Sequence, residues 1–246
     1  MHYHTPGQVS SIPNGFGQVD YSQLGAIAPE FQNSLDFYKR RLVQLGYQGD
    51  VTIIEGAFSS FKSTPANILK VFDTLENSAK ELLKKAHEVS HIGFITNQFL
   101  SGRDEFLAAT EEVKAVLSSQ LAQIANLKSI LISKPQSITL PRDEGPALSA
   151  RLMAFNMLRW SAELAYKTKK FQEANPIMSR TDNERAIFQA IGQATGTLVG
   201  SLVLALGEVV NPTISIIPGW FYLVGIGILG IWALPKVASI ASAIRR

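Results

Sequence analysis

About fifty residues with a single charge constrain this chain more than any other feature: between Arg185 and Lys236 the one acidic or basic side chain is Glu208. A run this poor in charge must be covered, by protein or by lipid. Its first part, Ile187 to Gly207, holds 21 uncharged residues, and about 20 helical residues cross the hydrocarbon core of a bilayer. Asn211 with Pro212, and Pro218 with Gly219, are turn signals. After them a strongly apolar second arm runs from Gly219 to Leu234, or from Ile214 if it is to reach spanning length. The expectation is a two-span hydrophobic hairpin over residues 186–236, with Trp220, Phe221, Tyr222, Trp232 and Lys236 as anchors at the membrane interfaces. Gly192, Gly196 and Gly200 recur every four residues and predict a flat strip for close helix packing in lipid, joined on the second arm by Gly225 and Gly227.

Basic residues give the expected orientation. Lys167, Lys169, Lys170, Arg180 and Arg185 precede the first arm, and Lys236, Arg245 and Arg246 follow the second. The positive-inside rule then puts both termini on the cytoplasmic or equivalent side of an integral membrane protein, with the loop near Glu208 on the far side. Outside the apolar stretch charge density is ordinary. A net charge of +3 gives no nucleic-acid footprint, and the absence of cysteine excludes disulfides and thiolate chemistry. Residues 1–27, with Pro6, Gly7, Pro13, Gly15 and Gly17, lack the basic and apolar regions of a signal peptide and read as an extended arm. Insertion would therefore depend on the C-terminal segment.

The body, residues 28–180, reads as an all-α, up-down bundle. Phe31, Leu35, Tyr38, Leu42 and Leu45 form one helical stripe that Gly46 ends. Val51 to Phe61 is compatible with a small strand or a connecting helix. Thr64 and Pro65 suit N-cap and N1 positions, and Ile68, Phe72, Leu75, Ala79, Leu82, Ala86 and Val89 follow with coiled-coil-like 4, 3 spacing. Glu76 with Lys80, and Glu81 with Lys85, are ion pairs of favourable direction. A second long helix carries Phe106, Val113, Leu117, Ile124, Leu127 and Leu131. After Pro135 and Pro141, a third begins at Pro146 with Leu148, Leu152, Phe155, Leu158, Ala162 and Ala165. The expected body is thus three long helices with a shorter fourth, and residues 237–246 form a short basic tail.

One motif carries chemistry. His87, Glu88 and His91 lie in H-E-V-S-H, a pattern whose histidines share a helix face and can bind zinc while the glutamate activates water. Over His87 to Ile92 the string resembles the active-site helix of zinc metalloproteases, which implies zinc as cofactor and Glu88 as general base. Those families also supply a third ligand and a β-sheet beside the motif. Here Glu111 and Glu112 lack the accompanying asparagine pattern, and Phe94 and Asn97 stand where the extended signature needs glycine and histidine. The seam through Ala86 and Val89 assigns the three residues to its polar flank, so no metal or other cofactor is expected.

With no phosphate-binding loop, nucleophile elbow or dinucleotide fingerprint, the expected function is a non-enzymatic, membrane-anchored structural or assembly subunit. Its partners would be membrane lipid and other subunits or copies of itself. The alternatives are an α-helical pore-forming or membrane-penetrating protein and, second, a zinc metalloprotease.

Overall fold

The computed structural model describes residues 29–92, 99–175 and 182–207. The N-terminal arm, the second apolar arm with Gly225 and Gly227, the anchors Trp220, Phe221, Tyr222, Trp232 and Lys236, and the basic tail lie outside the described residues. Those described form six helices and no strand: α1 (Pro29–Gln44), α2 (Gln48–Ser60), α3 (Pro65–Ser90), α4 (Arg103–Ile132), α5 (Gly145–Ala174) and α6 (Asp182–Leu206). The all-α expectation therefore stands, and the ambiguous run from Val51 to Phe61 lies almost wholly in helix α2.

Local chemistry explains several boundaries. Gly46 adopts φ 93° just beyond α1. There Tyr47 N–H reaches the Leu42 carbonyl at 2.9 Å and Gly46 N–H the Val43 carbonyl at 3.0 Å. These two bonds are the glycine-dependent helix stop that satisfies orphan carbonyls. Thr64 caps α3, its hydroxyl accepting from Asn67 N–H at 3.3 Å, and Pro65 occupies the first turn, where a missing N–H costs nothing.

Helices α3, α4, α5 and α6 form the four walls of a bundle: α3 packs on α4 and α6, and α5 on the same two. At 26, 30, 30 and 25 residues they are about 37–45 Å long at 1.5 Å per residue. Neighbours run antiparallel. Lys128 near the end of α4 bonds Asp73 and Glu76 near the start of α3. Phe106 at the start of α4 stacks on Phe171 near the end of α5, ring centroids 4.6 Å apart. Ser161 of α5 meets Thr195 of α6.

The seam read in α3 is buried throughout, from Ile68 to Val89, and so are all the stripe residues named in α4. For α5 a single stripe was expected, but every residue from Gly145 to Ala162 except Arg151 is buried. The reason is α1, which packs on α5 and covers the face turned away from the bundle axis. Clamps between Arg41 and Glu163, and between Arg151 and Glu55, fix α1 and α2 there.

Candidate functional site

The apolar helix α6 is the natural place to look for function. Its segment Arg185–Leu206 is the one described helix long and apolar enough to cross a membrane, judged by length and composition. Its packing is that of a bundle wall. Phe188, Ile191, Thr195, Leu198, Val199, Leu202 and Leu206 are buried, while Gln189, Gln193 and Thr197 are exposed on the opposite face. Spacings of 3, 4, 3, 4 and 4 through Phe188, Ile191, Thr195, Leu198, Leu202 and Leu206 are those of an amphipathic bundle helix. The buried polar residue is satisfied: the hydroxyls of Thr195 and Ser161 lie 2.7 Å apart. Burial of the large apolar side chains contributes about 1.5–3 kcal/mol each. The stretch expected as the first membrane arm is thus the fourth wall of the body, and the compact unit that contains it runs to Glu208.

The glycine strip has no partner helix at Gly192 and Gly196: a Cβ built on either meets nothing within 4 Å. Both are half-exposed, as is Gly200. At the helix end Gly207 has a different part, since a Cβ there would sit 2.7 Å from the Val203 carbonyl oxygen. Only glycine fits that termination without displacement.

His87 and His91 are both exposed, their rings 5.0 Å apart. Ser90 is the last residue of α3, and His91 lies beyond it as the C-cap. Glu88 is engaged by Lys85 at 3.1 Å, which occupies the carboxylate that the protease resemblance casts as general base. Among the described residues no group of three or more His, Cys, Asp or Glu side chains converges to hold a metal. The motif residues flank the seam while Ala86 and Val89 enter it.

Sequence reasoning missed a buried charge cluster where α1, α4 and α5 meet. The Arg159 side chain is 9% exposed and that of Glu163 13%. The Arg159 guanidinium lies 4.1 Å from the Trp160 ring centroid, 5.2 Å from that of Phe37 and 5.9 Å from that of Tyr38. Such aromatic faces stabilise a cation that has left water. Glu163 is 3.8 Å from Arg159 Nε and accepts from Arg41 Nε at 2.5 Å and Nη2 at 3.1 Å. Arg159 Nε and Nη1 make no hydrogen bond, and burial lowers its pKa against the raising influence of Glu163. Glu112, on α4, is raised by its own burial. Gln120, in register with the α4 stripe but not read as part of it, has a buried amide with neither atom hydrogen-bonded. Arg159 gave no such signal, because its burial depends on α1.

The class defined by this geometry is an all-α antiparallel four-helix bundle with two flanking helices, whose last wall leads into a strongly apolar C-terminal stretch. No family model, curated protein or solved structure matches the chain.

Proposed function

We propose that this chain is a non-enzymatic, membrane-attached structural subunit: the bundle, α6 included, makes protein contacts in water, and the apolar stretch 209–235 holds it to the bilayer. The observation that carries the reading is the split in the uncharged region. Its first half has a polar face, Gln189, Gln193 and Thr197, and a buried face within the bundle. Its second half, with Trp220, Phe221 and Tyr222 at one end and Trp232 before Lys236 at the other, has the interface-flanked pattern of a membrane segment.

A second reading is favoured by one feature. About a third of the residues in the most apolar part of α6 are buried, and Gly192 and Gly196 are open, a packing light enough for α6 to leave the bundle and enter lipid with the stretch that follows. That event would produce the two-span hairpin with both termini on one side and would make the protein membrane-penetrating. It would also uncover the faces of α3 and α5, and that cost favours a bundle-resident α6.

Alkaline carbonate extraction and vesicle flotation of the full chain test the proposal. The chain should remain with the bilayer after extraction and leave dye-loaded liposomes intact. Recovery in the soluble fraction rules out attachment, and dye release favours penetration.

A further inference from the structure

We infer that one end of the bundle is a lipid-contacting surface: the end where α6 terminates, presenting Ile132, Ile138 and Leu204 to the interfacial zone of the bilayer. The inference rests on the attachment proposed above and adds the orientation of the body on the membrane.

The antiparallel order brings the end of α6, the start of α3 and the link from α4 to α5 to the same end. That link is pinned there: Leu140 N–H donates to the Ser63 carbonyl at 2.7 Å, Ser63 Oγ donates back to the Leu140 carbonyl at 2.5 Å, and Arg142 donates to the Ser59 carbonyl at 2.6 Å. Gln136 bridges the Leu131 and Lys134 carbonyls at 3.1 and 2.7 Å. The link is therefore a fixed platform. Just before it Ile132, the last residue of α4, is 66% exposed; on it Ile138 is 40% exposed, and on the last turn of α6 Leu204 is 78% exposed. Single exposed apolar residues are ordinary on protein surfaces, but three large ones at the same end of a bundle, on three different chain segments, ask for a common partner.

Chain continuity names it. The sequence passes from Leu206 through Gly207 and Glu208 into the apolar stretch 209–235. In the sequence only Gly207 and Glu208 separate the last residue of α6 from that stretch, and a residue spans at most about 3.6 Å. If the stretch is in lipid, the same end of the body is held at the headgroup layer, where isoleucine and leucine side chains lose water by contact with acyl chains. Charge does not dictate the choice. Lys62, Lys134 and Arg142 stand against Asp143 and Glu144 there, so the contact depends on apolar side chains and forms on uncharged phosphatidylcholine.

The chain has no cysteine, which permits single-cysteine variants of the full-length protein. Ile132→Cys, Ile138→Cys and Leu204→Cys, each carrying an environment-sensitive fluorophore, are to be compared with Phe99→Cys and Glu105→Cys at the other end, in phosphatidylcholine vesicles containing doxyl-labelled lipid. All five substitutions are at exposed positions. The three near-end labels should show several-fold stronger quenching and a blue shift, and the two far-end labels should match their values in buffer. A chain that floats with the vesicles while all five labels read alike, or while Phe99→Cys reads strongest, overturns the orientation but leaves attachment standing. A chain that fails to float overturns both.

Discussion

Ile226→Lys combined with Leu229→Lys should release the full-length protein from membranes. Each lysine near the centre of a membrane segment costs about 2.5–3.5 kcal/mol on an insertion scale, so the pair costs about 5–7 kcal/mol. That shifts the partition between bilayer and water by more than about a thousandfold. Both positions fall in the apolar run beyond Glu208 and in none of the six described helices, so the circular dichroism of the body should be unchanged. Vesicle flotation reads the result directly. If the doubly substituted chain still floats and resists carbonate, attachment through 209–235 is wrong, and α6 becomes the remaining candidate for the lipid-inserted element.

The second large effect lies in the body. Glu163→Ala should lower the unfolding free energy by about 3–5 kcal/mol, the usual penalty for stranding a buried charge by removing its partner. Arg41, at 36% side-chain exposure, can turn to water when its carboxylate is lost. Arg159, at 9%, cannot, and two of its nitrogens already lack a hydrogen bond. Replacing the stranded cation should therefore recover most of the loss: Arg159→Met added to Glu163→Ala is expected to be markedly more stable than Glu163→Ala alone. Urea titration followed by far-UV circular dichroism, in the same mild detergent for each variant, measures the cycle. A Glu163→Ala loss below about 1 kcal/mol, the value of an ordinary surface pair, would mean that the cluster is solvated.

Most of the bundle could be read from periodicity because its helices bury a single stripe. The seams of α3 and α4, the N-cap at Thr64 and the stop at Gly46 were legible for that reason. Helix α5 was only half legible: Leu148, Leu152 and Phe155 gave one face, but Met153, Met157 and Trp160 are buried as well, and that second face depends on where α1 packs, which spacing within α5 does not encode. The harder lesson concerns α6. Its lack of charge and its length satisfy the criterion for a membrane span, yet the same residues serve as a bundle wall. The distinguishing signal lay in Gln189, Gln193 and Thr197, one turn apart on one face and opposite Phe188, Ile191, Leu198 and Leu202. Hydropathy averages around the helix and erases that asymmetry, whereas a wall of a bundle in water requires it. The glycines at 192 and 196 were legible as a strip, but a strip does not say what lies against it, and at these two positions nothing of the chain does.

The proposed attachment through 209–235 requires that α6 stay in the bundle at a bilayer. Ser161 and Thr195 make that requirement measurable, since their hydroxyls are 2.7 Å apart in the buried interface between α5 and α6 and the chain has no cysteine of its own. Side-chain oxygens this close put the sulfurs of cysteines at the same positions near one another, as disulfide formation requires. Ser161→Cys with Thr195→Cys, oxidised in the membrane fraction, should form an intramolecular disulfide rapidly and in high yield, and the cross-linked chain should float with vesicles as well as the reduced one. Cysteines that stay reduced in the bilayer-bound protein while pairing in detergent, or a cross-link that abolishes membrane association, would show that α6 leaves the bundle for lipid.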